Sequence, residues 1–200
     1  MKIGFLMGSF DPIHIGHINM IRESLNVVDK VIVVPSGHNP WKKSEPSPFD
    51  LRVKMISEAI VPFGDNVEVS TIEEKFEPPY YANKPLNYFR GKYDGNELFI
   101  ICGSDIVEKI PFWKNAKEDI MPFYKVICLE RVFSDNTTEK RAIFVDDECS
   151  TETYEYQHIG IVSFPVSSTL IRELIKENKV LYPLVPQCVE RIIKENKLYV

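Results

Sequence analysis

Lys2-Ile-Gly-Phe-Leu-Met7 is an apolar run of strand length, and Gly8-Ser-Phe-Asp-Pro-Ile-His-Ile-Gly-His17 follows it without a break. Ile18, Ile21, Leu25 and Val28 then recur at helical spacing, which predicts a helix over about Gly16 to Val28. Strand, glycine-bearing loop and helix in that order form the first β-α unit of an open α/β sheet. The loop falls where such sheets bind phosphates and nucleotides. Gly8 permits close approach of backbone to a ligand, Asp11-Pro12 sets a turn, and His14 and His17 stand three apart around Gly16. At a helix start that spacing lets both imidazoles face one ligand. A metal pair or a polar cap would use the same two histidines, but glycine, strand end and helix start together favour an anion site.

The alternation continues along the chain. Val31 to Val34 reads as a second strand ended by Pro35-Ser-Gly37, and Gly37 to Pro48, with three prolines and the Lys42-Lys43 pair, reads as a surface loop. Ser47-Pro-Phe-Asp50 predicts a helix start with Ser47 as the capping hydroxyl and Pro48 in the first helical position. Leu51, Met55, Ile56 and Ile60 then form the buried stripe. Strands are expected at Val67 to Ile72, Leu98 to Cys102, Tyr124 to Leu129 and His158 to Phe164. Helices are expected around Leu86 to Tyr93, after Ser167-Ser-Thr169, and around Val189, Ile192 and Ile193. Arg131 to Tyr156 is polar and acidic, and is expected to be a variable insertion with room for a hairpin. The whole pattern predicts an α/β, Rossmann-like fold: an open, mostly parallel sheet with helices on both faces, in a single domain over residues 1–200.

Composition narrows the function classes. Over 200 residues, 44% hydrophobic and 26% charged side chains exclude a disordered, collagenous or disulfide-scaffold chain. A formal net charge of -5 argues against charge-driven nucleic-acid binding, although a few local cations suffice for a small anion. Cys102, Cys128, Cys149 and Cys188 are far apart with no C-x-x-C pair, so a reducing compartment is the simpler reading and no metal centre is expected. The apolar start is too short for a signal peptide or a membrane span. A cytoplasmic protein is expected, without membrane partners; a homo-oligomer is compatible with the sequence.

Two further segments carry chemistry. In Val166-Ser-Ser-Thr-Leu-Ile-Arg172, three consecutive hydroxyls stand at a predicted helix start with a guanidinium one turn later. Ser and Thr are preferred there as caps whether or not they bind anything, yet the helix dipole also favours an anion at that point. Ile101-Cys-Gly-Ser-Asp105 follows a buried strand, where Asp105 could accept from sugar hydroxyls or, like Ser104, merely cap a helix.

Gly8 to His17 resembles the G-x-F-D-P-x-H-x-G-H signature of the nucleotidyltransferase superfamily related to class I aminoacyl-tRNA synthetases, and Val166 to Arg172 resembles its I-S-S-T-x-I-R signature. Leu184-Val-Pro186 and Asn196-Lys-Leu-Tyr199 are similar to the tail of bacterial nicotinate mononucleotide adenylyltransferases. The resemblance spans nearly the whole chain and is weakest from Arg131 to Tyr156. It implies ATP, with Mg2+, as one substrate and a pyridine mononucleotide as the other. His14, His17, Lys42 and Arg172 would stabilise charge on the triphosphate. Gly8, Ser9, Phe10, Gly103, Ser104, Asp105, Ser167, Ser168 and Thr169 would complete the ATP site, with Tyr81, Trp113 and Trp41 on the mononucleotide side.

The family's P-P-H-K becomes Asn39-Pro-Trp-Lys42, and its S-Y-T-x-D-T-L becomes Tyr80-Tyr-Ala-Asn-Lys-Pro-Leu86. These departures fall at the pyridine end, so the choice between nicotinate and nicotinamide mononucleotide stays open. Two other readings remain: nucleotidyl transfer to another phosphate acceptor such as phosphopantetheine, and a non-catalytic nucleotide-binding regulatory module.

Overall fold

Short runs of Val, Ile, Leu and Phe build a sheet that is covered on both faces. The computed structural model describes residues 1–37, 45–130, 140–145, 151–160 and 164–200, with residue 130 and the segments 140–145 and 151–160 described through their backbone. The strands are β1 (Lys2–Gly8), β2 (Lys30–Pro35), β3 (Val67–Val69), β4 (Glu97–Gly103), β5 (Tyr124–Glu130), β6 (Lys140–Val145) and β7 (Thr151–Gly160). They lie in the order β3-β2-β1-β4-β5-β7-β6. Every neighbouring pair is parallel except β6 with β7, which run antiparallel at the edge.

The helices are α1 (Ile15–Ser24), α2 (Phe49–Ile60), α3 (Asn83–Lys92), the single turn α4 (Ser104–Val107), α5 (Ser168–Lys176) and α6 (Gln187–Glu195). On one face Leu6, Val31, Val33 and Ile101 pack against Ile21 of α1, Met55 and Ile56 of α2, Ile171 of α5 and Val189 and Ile192 of α6. On the other, Phe5, Ile32 and Ile100 pack against Leu86 and Phe89 of α3 and Val107 of α4, with the Phe5 and Phe89 rings stacked at 4.5 Å. The helices after β1 and β2 thus cover one face, and those flanking β4 cover the other. Strand order reverses between β1 and β4, and at such a switch point a crevice opens beyond the carboxyl ends of the strands. Gly8 ends β1 and Gly103 ends β4, so both glycines stand at its rim.

Several expectations need correction. Pro48, not Ser47, occupies the N-cap of α2, and no side chain caps it. Ser47 instead turns its backbone to its neighbours: its N–H donates to Asp11 Oδ1 and its carbonyl accepts from Arg52 Nε. α1 stops at Ser24, whose hydroxyl donates back to the Met20 carbonyl at 2.8 Å, a local bond that competes with the helical ladder. The third strand is only Val67–Val69, and Ile72 enters a 3-10 turn. The last strand starts at Thr151 and ends at Gly160, earlier than hydrophobicity suggested, because β6 pairs with its first half as a hairpin within the 131–156 stretch. Phe164 is not in a strand.

Candidate active site

His14 is the N-cap residue of α1, and His17 sits one turn in. The His14 backbone N–H donates to Nδ1 of His17 at 3.3 Å, and the two rings stack with centroids 3.7 Å apart. With Nδ1 as acceptor, a neutral His17 carries its ring proton on Nε2, where it remains a donor. Phe10 buttresses the pair, its ring meeting that of His17 edge-on at 4.9 Å. Its side chain is buried and its φ of 46° is a left-handed conformation strained for a bulky residue, so Phe10 shapes the loop and leaves its backbone for ligand contact. Gly16 is required by closeness: a β-carbon there would stand 3.0 Å from the His14 ring.

α5 closes on this loop from 156 residues away, where Ser168 Oγ donates to the Pro12 carbonyl at 2.9 Å. Arg172 Nη1 donates to the Asp11 carbonyl at 2.7 Å, and its Nη2 donates to Thr169 Oγ1 at 3.1 Å. Ser167 Oγ accepts from the Leu170 N–H and is the true cap. The three hydroxyls therefore differ. Ser168 spends its proton on Pro12, whereas Ser167 and Thr169 act as acceptors in these bonds and keep an O–H to offer a ligand.

Sequence reasoning missed the cluster behind the loop. Arg52 is 1% exposed, and its guanidinium donates to four carbonyls: Ser9 at 2.8 Å, Ser36 at 2.8 Å, Gly37 at 3.0 Å and Ser47 at 2.9 Å. Burial depresses its pKa, while Asp11, Tyr199 and Glu73 act in the opposite direction. The Glu73 carboxyl, also buried, is pushed up by desolvation against the opposing effects of the Gly37 N–H, Lys84 and Arg52. Asp11 Oδ1 accepts from the Tyr199 hydroxyl at 2.7 Å and from the Ser47 N–H at 3.3 Å. No local pattern marks Arg52, because its partners are carbonyls, which every residue carries.

Across the crevice, Gly103 is the N-cap of α4, and Ser104 and Asp105 are exposed. Neither side chain is the cap, which leaves both available to a ligand. Trp113 is partly buried against the second core cluster, and Lys114 Nζ beside it lies 4.8 Å from the Tyr81 ring centroid. The structure thus brings Tyr81 next to the Trp113 segment. Tyr80 packs on Gly37, where a β-carbon would meet its ring at 2.9 Å. Trp41 and Lys42 lie outside the described residues.

Comparison with known proteins identifies the family. The cytidylyltransferase-like family model matches residues 5–174. A "Probable nicotinate-nucleotide adenylyltransferase" of Methylacidiphilum infernorum is 35% identical, covering 100% of this chain and 92% of that protein. One of the same description from Clostridium perfringens is 31% identical, covering 99% and 98%. The fold matches a structure of Plasmodium falciparum nicotinic acid mononucleotide adenylyltransferase complexed with NaAD, with a TM-score of 0.73 at 17% identity over 99% of this chain and 97% of that one. With two helix starts joined beside a switch-point crevice and full-length similarity of this kind, the chain belongs to the cytidylyltransferase-like family and, within it, to the nicotinate-nucleotide adenylyltransferases.

Proposed function

We infer that the protein transfers the adenylyl group of ATP to nicotinate mononucleotide, forming the dinucleotide and pyrophosphate in NAD biosynthesis. The observation that carries the reading is the meeting of the α1 and α5 starts through Ser168 on Pro12 and Arg172 on Asp11. A phosphate oxygen of the mononucleotide attacks the α-phosphorus in line, the bond from that phosphorus to its bridging oxygen breaks, and pyrophosphate leaves. Phosphate is nucleophilic near neutral pH, so positioning and charge stabilisation suffice without a strong general base.

His17 offers Nε2–H, and the α1 and α5 amides add donors and two positive dipole ends. Arg172 keeps guanidinium protons beyond those given to Asp11 and Thr169. Lys42 supplies a further cation, Ser104 and Asp105 receive the adenosine, and Tyr81, Trp113 and Trp41 receive the pyridine ring, which suits flat apolar faces. Mg2+ bound to the nucleotide would be part of the substrate and would offset charge on the triphosphate. Among the described residues Cys102 and Cys188 are free thiols, which supports a reducing, cytoplasmic setting.

Pyrophosphate release with ATP, measured in parallel with nicotinate mononucleotide, nicotinamide mononucleotide and phosphopantetheine, tests the reading. Turnover fastest with nicotinate mononucleotide is expected; preference for phosphopantetheine would overturn it. His17→Ala is expected to lower kcat about 100-fold while changing folding stability by about 1 kcal/mol or less. Kinetics equal to the wild type would remove His17 from the mechanism.

A further inference from the structure

The end of the chain returns to the phosphate loop. After α6, Lys197 (φ 50°) and Tyr199 (φ 66°) both take left-handed backbone, which reverses the chain direction and brings the Tyr199 phenol to Asp11. A second tie lies upstream, where the Ile15 N–H donates to the Leu184 carbonyl at 3.0 Å. Residues 184–199 therefore hold the loop at its middle and at the start of α1.

A carboxylate in a loop that receives a triphosphate is electrostatically out of place unless it is drawn inward. Asp11 is 7% exposed, and three groups pull on it: Tyr199 Oη and the Ser47 N–H on its carboxylate, and Arg172 on its carbonyl. The Arg52 cation is close enough to interact with both Asp11 and Tyr199. Leu198 and the Tyr199 ring already anchor the tail on the apolar core. The hydroxyl adds nothing to that packing: it donates to Asp11 and shares a hydrogen bond with the Ser47 side chain.

We propose that Tyr199 is a positioning residue of the transfer reaction: by donating to Asp11 it makes the C-terminal tail part of the active site and holds the loop carboxylate away from the incoming triphosphate. This rests on the adenylyl-transfer reading. Tyr199→Phe retains the ring, the packing and the tail, and removes the hydroxyl with its bonds to Asp11 and Ser47. Asp11 is then held by the Ser47 N–H without the phenol and is kept less firmly from the nucleotide, so ATP use suffers before mononucleotide use.

The test is a double-mutant cycle on the full chain with Tyr199→Phe, Asp11→Asn and their combination, plus Leu198→Ala as a packing control. Tyr199→Phe is expected to lower kcat/KM for ATP about tenfold and to change KM for nicotinate mononucleotide less than about twofold. In the Asp11→Asn background the further loss is expected to shrink below about threefold, the signature of residues acting through one contact. Leu198→Ala is expected to lower the thermal midpoint while keeping both KM values at temperatures where it is folded.

Wild-type kinetics in Tyr199→Phe, losses that multiply independently, or an equal ATP defect in Leu198→Ala would each overturn the proposal. Should Tyr199→Phe fail to fold, Asp11→Glu, which keeps the charge but displaces it by one methylene from the phenol, reads the same contact, and an unchanged KM for ATP there overturns it. If the wild type itself gives no turnover with nicotinate mononucleotide, the adenylyl-transfer reading fails. The positioning role is then judged by calorimetric ATP affinity in the same proteins, with weaker binding in Tyr199→Phe expected and equal binding overturning it.

Discussion

Arg52 shows how one residue joins loops that no local signal connects. Its planar fork reaches the carbonyls of Ser9, Ser36, Gly37 and Ser47, so the loop after β1, the loop after β2 and the entry to α2 share one donor. A lysine ammonium donates from a single compact point on a flexible four-carbon stem and cannot reproduce that span. Arg52→Lys is expected to cost about 3 kcal/mol or more, because buried carbonyls lose their donors and a buried cation is held less well. Urea denaturation measures this, and a loss under about 1 kcal/mol would contradict the account. In the sequence Arg52 sat between Leu51 and Val53 on an amphipathic helix and carried no sign of burial. His14, His17 and Arg172 were legible because a motif at a helix start announces itself locally.

At the scale of the element, α1 trades its own stability for geometry. Glycine in a helix costs roughly 0.5–1 kcal/mol relative to alanine, yet Gly16 stands in the first turn where a β-carbon would meet the His14 ring at 3.0 Å and Val166 Cγ1 at 3.3 Å. Both neighbours belong to the site or to the approach of α5, so neither can yield without moving functional groups. Gly16→Ala is therefore expected to leave folding stability within about 1 kcal/mol and still lower kcat about tenfold or more. Urea denaturation and pyrophosphate-release kinetics check the two halves, and unchanged kcat would show that the His14 ring can shift harmlessly. The three-residue spacing of the histidines was plain in the sequence. That the rings would stack on each other, with His17 also propped by Phe10, was not, since stacking depends on rotamers and on a left-handed Phe10.

At the scale of the molecule, the C-terminal segment belongs to the core as well as to the site. Val189 and Ile192 of α6 are fully buried and Ile193 nearly so, packed with α2 on the same face of the sheet. Burying three such side chains contributes roughly 5–9 kcal/mol, comparable with the whole stability of a typical domain. A chain ending at Pro186 is thus expected to lose its cooperative unfolding transition, as followed by circular dichroism against urea. A cooperative transition near that of the full chain would show α6 to be dispensable. The exposed Arg191–Glu58 ion pair between α6 and α2 contributes little beside this apolar contact.

The sequence by itself determined the succession of strands and helices, the parallel α/β class and the two helix starts that carry the family's motifs. Hydrophobic period, capping residues and glycine-bearing loops are local, so they survive reading one window at a time. Tertiary structure alone decided that the strand order reverses between β1 and β4, that Ser168 gives its proton to Pro12, and that the Arg52 guanidinium lies buried behind the loop. It alone joined Tyr199 to Asp11 across 188 residues. The physical reason is common to all of these. Each is a contact between groups far apart in the chain, often to a backbone carbonyl that every residue possesses, and its energy exists only once the sheet has brought the partners together.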